Sequence, residues 1–212
     1  MGWFSASRSR QLPAELAPPT GHHSLALKPL LETLHPESRH TVLDLGPPLG
    51  VNLEFLSGLS CRVCIADLHR SLFAESVESR APEARAGLFE RLLPLGVGER
   101  FDAVLTWDLF NYLRRDQVSS LMGRLGPACR PGALVLALVW NRGRIPAEPL
   151  RYRILDRENL AWDGPLEPVR AGPRWGERDF GRMMPGFSVH RSFLLRNGIQ
   201  EYLFARDPPQ HR

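Results

Sequence analysis

The sequence predicts an α/β protein with a doubly wound, mostly parallel seven-stranded sheet, helices on both faces and a C-terminal antiparallel hairpin. Three observations favour this fold class. Strand-like and helix-like segments alternate at least three times between residues 41 and 140, which is typical of parallel βαβ units. The apolar segments 101–107 and 133–140 are nearly continuous, as in strands that are buried on both faces. A short turn, Arg196-Asn197-Gly198, joins two strand-like segments near the end of the chain.

The individual elements follow from the spacing of the apolar residues. An amphipathic helix over 25–34 carries leucines at helical intervals, is expected to bend at Pro29 and ends before Pro36. Further helices are predicted over 51–56, 71–79, 114–125 and 175–184. The seven strands are predicted at 41–45, 61–66, 88–93, 101–107, 133–140, 188–195 and 199–205.

The chain is expected to form one domain over residues 21–212, preceded by a flexible arm over residues 1–20. The arm carries Ser, Arg and Pro without apolar periodicity. Residues 141–173, rich in Arg and Pro, interrupt the alternation of strands and helices. Because they follow the fifth strand at the edge of the sheet where ligands bind, we expect this insertion to be a lid over an acceptor site.

Composition excludes several classes of protein. The chain has 212 residues, 43% hydrophobic and 24% charged, which is close to the globular average. No apolar run is long enough to cross a bilayer, and Ala6 stands where an N-myristoylation signal needs Ser or Thr. We therefore expect a cytoplasmic protein without a membrane partner. Cys61 and Cys64 form a C-x-x-C, but in a strand they point to opposite faces, so no redox or metal site is expected.

Two neighbouring strand ends carry the most informative spacing. The turn Gly46-Pro-Pro-Leu-Gly50 follows the first strand, and Asp67 ends the next strand, 21 residues after Gly46. A glycine turn lets the backbone approach a ligand closely, and a carboxylate at the second strand end can accept hydrogen bonds from both ribose hydroxyls. Asp44, two residues before Gly46, would repel a phosphate. The pattern indicates a ligand that contains adenosine and lacks phosphate.

At these residues the sequence resembles the class I S-adenosylmethionine-dependent methyltransferases, over roughly residues 40–206. The resemblance rests on Asp44-x-Gly46-x-x-x-Gly50, Asp67, the segment Phe101-Asp-Ala-Val-Leu-Thr-Trp-Asp108, the turn Arg130-Pro-Gly-Ala133 and the terminal hairpin, in the family's order. It implies S-adenosylmethionine as the cofactor, with the glycine turn at its methionine portion and Asp67 at its ribose. The residues that the resemblance implies for cofactor binding are Asp44, Gly46, Pro48, Gly50, Asp67, Leu68, Thr106 and Trp107. Asp108 and Tyr112 are implied at the methyl-transfer end, as catalytic residues.

The chain departs from the family's pattern at two places. Pro48 stands where the family has a middle glycine, and the third strand lacks the acidic residue for the adenine amino group unless Glu90 serves. Structural roles compete at the other positions, because Asp67 and Asp108 could each cap a helix and Trp107, Phe110 and Tyr112 could pack in the core. His22, His23, His69 and His190 are conceivable bases.

The leading hypothesis is methyl transfer to a small-molecule acceptor, with Arg151 and Arg153 of the insertion binding an anionic group on it. An inactive methyltransferase fold that serves as a binding or scaffold protein is the first alternative, favoured by Pro48. An RNA methyltransferase is the second, using Arg142, Arg144, Arg151, Arg153 and Arg157 with Tyr152 and Trp162. Nucleic acid is disfavoured, since a net charge of +4 is weak evidence and the fourth strand is not followed by an Asn-Pro-Pro-Tyr-like sequence.

Overall fold

The computed structural model describes residues 20–74 and 87–208. Its strands are β1 (Thr20–His23), β2 (His40–Asp44), β3 (Cys61–Ile65), β4 (Phe101–Trp107), β5 (Cys129–Trp140), β6 (Arg144–Pro146), β7 (Arg151–Ile154), β8 (Asn159–Asp163), β9 (Val169–Ala171), β10 (Phe187–Leu194) and β11 (Ile199–Arg206). Its helices are α1 (Leu27–Glu32), α2 (Gly50–Gly58), α3 (Leu68–Ala74), α4 (Leu88–Leu92), α5 (Arg115–Leu125) and α6 (Glu177–Met183). Short 3-10 turns lie at Leu109–Tyr112 and Gly126–Ala128.

The central sheet has the strand order β10-β11-β5-β4-β2-β3. The pairs β3–β2, β2–β4 and β4–β5 are parallel, whereas β5–β11 and β11–β10 are antiparallel. The parallel pairing and the C-terminal hairpin agree with the fold that the sequence predicts. In α1, Pro29 lies in the first turn, where its missing N–H removes no helical hydrogen bond.

The seven-strand count is not confirmed, because the central sheet has six strands among residues 20–74 and 87–208. The segment predicted as the third strand, 88–93, is instead helix α4. Leu88, Phe89 and Leu93 are buried while Glu90 is exposed, a spacing that fits one face of a helix better than a strand. Glu90 accordingly lies in the first turn of a helix, and not at a strand end.

Two apolar cores pack on the opposite faces of the central sheet, since successive strand residues point to opposite sides. On one face, Val42, Leu105 and Leu136 pack with residues of α1, α2, β7 and β8. On the other face, Leu43, Val104 and Val135 pack with residues of α3, α4, α5 and α6. The helices on both faces were expected, but the strands of the 141–173 segment on the first face were not.

The segment 141–173 forms two small antiparallel sheets and packs on the main one. β7 and β8 form a hairpin, and β1 adds to it in the order β1-β8-β7. β6 pairs with β9 in a separate two-stranded sheet. The predicted N-terminal arm lies outside the described residues except for Thr20, which begins β1. The end of the helix predicted over 71–79 also lies outside them.

Glu201 of β11 joins the segment between β1 and α1 to the main sheet. Its fully buried carboxylate accepts hydrogen bonds from the backbone N–H groups of Leu25 and Ala26 at 2.7 and 2.8 Å. His22 Nε2 lies 2.8 Å from the other oxygen.

Among the described residues, no helix has the length and apolar character that a membrane span requires.

Candidate functional site

The carboxyl ends of β2, β3 and β4 bring the glycine turn, Asp67 and Trp107 to one edge of the central sheet. Asp44 at the end of β2 pairs with Ile65 of β3 on one side and with Leu105 of β4 on the other. The strand ends are joined further by hydrogen bonds from Ala66 N to Asp44 O at 2.8 Å and from Leu45 N to Leu105 O at 3.0 Å. The residues that the sequence singles out for a cofactor therefore come together here.

Asp67 caps helix α3 and is still partly exposed. Its Oδ1 accepts a hydrogen bond of 3.0 Å from the backbone N–H of Arg70, and its carbonyl accepts one of 2.9 Å from the Ser71 hydroxyl. The capping role weighed from the sequence is thus present. It is compatible with a ligand contact, because a carboxylate has a second oxygen that can accept further hydrogen bonds.

The glycine turn runs from a buried to an exposed position. Gly46 is buried against the sheet, whereas Pro48 and Gly50 are exposed. Nothing lies within 4 Å of the position that a side chain would take at Gly50, where α2 begins. Pro48 therefore lies on the outer side of the turn.

Asp44 is the buried acceptor at the centre of this site. Its Oδ1 accepts the backbone N–H of Gly46 at 2.9 Å and the indole N–H of Trp107 at 2.7 Å. Burial raises the pKa of Asp44 to about 6, and these two hydrogen bonds oppose the rise by stabilising the carboxylate. A buried carboxylate in this position is a strong acceptor for a donor that bears a positive charge.

The Trp107 indole lies directly on the glycine turn. A side-chain carbon added at Gly46 would lie 2.8 Å from Trp107 Cδ1 and 2.9 Å from Nε1. The indole also stacks on Tyr152 of β7, with ring centroids 5.6 Å apart and an interplanar angle of 4°. The backbone of Trp107 has φ +50, a conformation that costs a bulky residue about 1–3 kcal/mol. The surrounding contacts hold the ring in place against that strain.

The residues present fit S-adenosylmethionine at one end only. At the ribose end, Asp67 is partly exposed and carries a carboxylate oxygen beyond the one that caps α3. At the glycine turn, to which the resemblance assigns the methionine portion, the indole of Trp107 leaves no room for even a methyl group on the side-chain side of Gly46. The fit is therefore incomplete while the indole lies in this position.

Asp108 and His69 form a buried pair beside the end of β4. Asp108 is fully buried, and its Oδ2 accepts the backbone N–H of Leu150 at 3.1 Å. Its Oδ1 lies 3.5 Å from His69 Nε2. Burial raises the pKa of Asp108 to about 8 and lowers the pKa of His69 to about 4. At pH 7 the imidazole is thus neutral, and Asp108 is mainly protonated.

The capping role weighed for Asp108 falls to its backbone and not to its side chain. The carbonyl of Asp108 accepts hydrogen bonds from the backbone N–H of Asn111 at 3.0 Å and from its side-chain amide at 2.8 Å. Its side chain makes no capping hydrogen bond to the 3-10 turn that follows. The carboxyl group of Asp108 therefore contacts Leu150 N–H and His69 and not the turn.

Tyr112, Thr106 and Leu68 have structural contacts in this arrangement. The Tyr112 hydroxyl lies 2.9 Å from the Glu148 carbonyl and 3.2 Å from the Pro146 carbonyl and shares its one hydrogen between these acceptors. Burial raises the pKa of the phenol, which keeps it protonated. The Thr106 hydroxyl donates to the Leu136 carbonyl at 2.8 Å within the sheet. Leu68 is fully buried in the core.

The two arginines proposed for an acceptor differ in their surroundings. Arg153 forms an ion pair with Asp163 across the β7–β8 hairpin, with Nη2 and Oδ1 2.9 Å apart. Arg151 lies two residues earlier on the same strand and is exposed. The two arginines share one face of β7, opposite the buried Tyr152 and Ile154, and their contact with an acceptor stays a prediction.

Sequence reasoning missed Asn52 and the stacking role of Tyr152. The Asn52 side chain donates a hydrogen bond to the Tyr152 carbonyl at 2.9 Å and accepts one from the Ile154 N–H at 2.8 Å. Both polar atoms of the Asn52 amide therefore join α2 to strand β7. The alternation of Leu150, Tyr152 and Ile154 is a strand signal within the insertion. Asn52, a polar residue within the apolar helix after the glycine turn, has no comparable signal.

Comparison with known proteins yields structures of similar fold. No family model matches the chain, and no curated protein matches it. It resembles Burkholderia thailandensis 1,6-didemethyltoxoflavin-N1-methyltransferase with bound 1,6-didemethyltoxoflavin and S-adenosylhomocysteine, with 17% identity, TM-score 0.47, and coverage of 87% of this chain and 80% of that chain. It also resembles N-methyltransferase NodS from Bradyrhizobium japonicum in complex with S-adenosylhomocysteine, with 13% identity, TM-score 0.45, and coverage of 86% of each chain. A third similar structure is an S-adenosylmethionine-dependent methyltransferase from Clostridium acetobutylicum, with 11% identity, TM-score 0.48, and coverage of 86% and 89%.

Proposed function

We propose that this protein binds S-adenosylmethionine at the carboxyl ends of β2, β3 and β4 and transfers its methyl group to a small-molecule acceptor. One observation carries the proposal. The Gly46–Gly50 turn and the Asp67 carboxylate lie side by side at the ends of two paired parallel strands. In open α/β sheets, ligands bind at the carboxyl ends of the parallel strands. There the glycine turn and the Asp67 carboxylate suit the two ends of a nucleoside that lacks phosphate.

The buried Asp108–His69 pair supports a reaction in addition to binding. Methyl transfer requires the two reactants to be held in line and water to be excluded, with a base only where the acceptor must lose a proton. The pKa of Asp108, raised to about 8 by burial, keeps this carboxyl mainly protonated and able to donate a proton at pH 7. The pKa of His69, lowered to about 4 by burial, leaves its imidazole neutral and a weak base. Asp108 directly follows β4, and Nε2 of His69, a residue of α3, lies 3.5 Å from its Oδ1.

A small acceptor is favoured over RNA by the setting of the insertion. The 141–173 segment packs on the main sheet through a buried apolar face that includes Leu150, Tyr152 and Ile154. Such a layer suits a lid over an enclosed acceptor better than an open basic groove. We expect no measurable binding of unrelated single-stranded RNAs at physiological ionic strength. RNA affinity that persists there, and falls steeply as salt rises, would contradict the small-molecule proposal.

Calorimetric titration of the purified protein with S-adenosylmethionine and with S-adenosylhomocysteine tests the proposed cofactor. We expect saturable binding of both ligands at one site per chain. The absence of heat and of thermal stabilisation with either ligand would overturn the proposal.

A binding protein without turnover is the second candidate, favoured by the full burial of Asp108 beneath Leu150. The two functions are separated by incubating the protein with S-adenosylmethionine and a panel of phenols, amines and carboxylic acids. Formation of S-adenosylhomocysteine that depends on one acceptor supports the enzyme. Cofactor binding with no product across the panel favours the binding protein.

A further inference from the structure

Four exposed arginines lie on loops that meet beyond the end of β5, and together they are called the arginine cluster: Arg142, Arg144, Arg174 and Arg196. Within residues 20–74 and 87–208, none of the four forms an ion pair with a carboxylate. Other arginines of this part of the chain do form one, namely Arg62, Arg114, Arg115, Arg130 and Arg153. The grouping of four unneutralised cations is therefore the feature that needs an explanation.

Backbone hydrogen bonds join the three loops that carry the arginine cluster. The N–H of Asn141 donates to the Gly198 carbonyl at 2.9 Å, which joins the loop after β5 to the turn between β10 and β11. The N–H of Gly172 donates to the Gly143 carbonyl at 3.1 Å, which joins the same loop to the segment before α6. Each arginine of the cluster lies within two residues of one of these bonded positions, so the main chain keeps the four close together.

Two side chains of the cluster lie directly on glycines that have left-handed backbone. Gly143 has φ +71 and Gly198 has φ +88, so a larger residue would be strained at either position. A side-chain carbon added at Gly143 would lie 3.0 Å from Arg174 Nη2, and one added at Gly198 would lie 3.0 Å from Arg142 Cδ. Arg142 Nη2 also lies 3.5 Å from the carbonyl oxygen of Arg196. Arg174 thus lies over the residue next to Arg142, and Arg142 reaches the turn that carries Arg196.

The charges of the cluster repel one another unless an anion is bound. A guanidinium group stays protonated in proteins, and charges closer together than about 8 Å are only partly screened at physiological ionic strength. An anion with several negative charges replaces this repulsion by attraction. The planar fork of arginine fits two oxygens of a phosphate group at once, and a phosphate offers more charge and more acceptor oxygens than a carboxylate.

The cluster lies at the edge of the central sheet where ligands bind in folds of this kind. β5 is parallel to β4 and ends at Trp140, so the loop that follows it leaves from the carboxyl edge. Ile199, the first residue of β11, pairs with Trp140, which places the turn before it at the same edge. In open α/β sheets ligands bind outside the carboxyl ends of the strands.

The surroundings of the cluster favour a small anion over a nucleic acid. Proteins that hold single-stranded nucleic acid combine basic side chains with aromatic rings on which the bases stack. Among the described residues, the arginines that lie over aromatic rings are outside the cluster, namely Arg115, Arg170 and Arg206. The cluster therefore offers charge without a stacking surface.

We propose that the arginine cluster is a binding site for the phosphate groups of a small phosphorylated molecule. The site goes beyond the proposed function and its existence does not depend on it. Taken together with the proposed function, the site gives the methyl acceptor a phosphate group, and that step alone rests on the proposed function. The cluster and the Gly46 turn lie at the same edge of the sheet, at the ends of β5 and β2.

The experiment titrates three proteins with inorganic pyrophosphate by calorimetry at physiological ionic strength. They are the unchanged chain, the double variant Arg142→Gln with Arg174→Gln, and the control Arg39→Gln with Arg100→Gln. The control removes two equally exposed arginines that directly precede β2 and β4, at the opposite edge of the sheet. Thermal melting without ligand establishes that each variant is folded.

We expect the unchanged chain and the control to bind pyrophosphate saturably, with affinities within about twofold of each other. The double variant of the cluster should bind it about tenfold more weakly or less tightly still, because at least one charge-assisted hydrogen bond is lost. Pyrophosphate should raise the melting temperature of the unchanged chain and of the control more than that of the double variant. Acetate, which carries one charge, should bind the unchanged chain far more weakly than pyrophosphate does.

The other outcomes overturn the inference. Absence of saturable pyrophosphate binding to the unchanged chain, or an equal loss in the control, would show that the cluster is not a site. Binding of single-stranded RNA that the double variant loses would assign the cluster to nucleic acid instead. Should the double variant not fold, Arg144→Gln with Arg196→Gln takes its place with the same expectations.

Titration of the same three proteins with S-adenosylhomocysteine keeps the two proposals apart. We expect all three to bind it equally. Pyrophosphate binding without S-adenosylhomocysteine binding would support the arginine site and refute the proposed function. The reverse result would support the proposed function and refute the arginine site.

Discussion

His69 Nε2 lies 3.5 Å from Asp108 Oδ1, and both side chains are buried at the end of β4. The pair shares an environment in which burial disfavours both charges. It therefore raises the pKa of the carboxyl to about 8 and lowers the pKa of the imidazole to about 4. The raised pKa of Asp108 and the lowered pKa of His69 change the free energy of unfolding in opposite directions as pH rises, each over its own part of the pH range.

Between about pH 6.5 and 8 we expect the free energy of unfolding to fall as pH rises. The folded state keeps a proton on Asp108 that the unfolded state has already lost, so stability that is present at low pH is lost as pH rises through about 8. Below about pH 6.5 His69 opposes this trend, since the unfolded chain takes up a proton there that the folded chain resists, down to about pH 4. For one proton the slope is at most about 1.4 kcal/mol per pH unit.

Asp108→Asn isolates this effect, because an amide cannot titrate and still accepts the Leu150 N–H. Urea unfolding measured at several pH values should show a flatter profile for the variant between about pH 6.5 and 8. Equal slopes for the two proteins in that window would show that Asp108 is ionised in the folded state.

Asp67→Asn is expected to weaken S-adenosylmethionine binding by about 1.5–3 kcal/mol, because the charge-assisted hydrogen bonds to the ribose become neutral ones. Asparagine still caps a helix, so the hydrogen bond from Arg70 N is retained and thermal stability should change little. Calorimetry and thermal melting check the two halves of the prediction. Asp67→Ala provides the contrast, since it should lose about 1 kcal/mol of stability with the cap as well as the affinity. Unchanged affinity in both variants would remove Asp67 from the site.

Asn52→Ala is expected to destabilise the protein by about 2–4 kcal/mol. The change leaves the buried Tyr152 carbonyl and Ile154 N–H without their partner, and each unpaired group costs about 1–3 kcal/mol. Asn141→Ala is the matched control, because Asn141 is exposed and a surface change of this kind should stay within about 0.5 kcal/mol. Chemical denaturation measures both. A loss at Asn52 no larger than at Asn141 would show that α2 does not anchor the insertion.

Pro48→Gly is expected to change S-adenosylhomocysteine affinity by less than about twofold, because Pro48 is exposed and the space over the turn is limited at Gly46. The extra freedom of the unfolded chain should cost about 0.4–1 kcal/mol of stability. Calorimetry and denaturation test the two expectations. A large gain in affinity would show that Pro48 obstructs the proposed cofactor site.

Local patterns in the sequence were sufficient for the parallel core of the fold. The continuous apolar runs of β4 and β5, the glycine turn after β2 and the short turn at Asn197-Gly198 each specify their own element through residue type and spacing. Because the ends of parallel strands meet at one edge, the approach of Asp44 and Asp67 also follows from the order of the elements. The prediction of a strand at 88–93 was wrong, because the structure has a helix at 88–92. A short apolar run fits the spacing of a strand and that of a helix equally well.

Only the tertiary structure decided what surrounds those residues. Trp107 was expected near the cofactor, but its position on Gly46 depends on a left-handed backbone and on Tyr152, 45 residues further along the chain. The Asp108–His69 pair and the two hydrogen bonds of Asn52 likewise join segments far apart in sequence. Such contacts arise from packing between layers, for which a single sequence carries no periodic signal. The sequence by itself determined the sheet edge and the residues delivered to it, whereas the packing of the insertion against that edge decided which of them are covered.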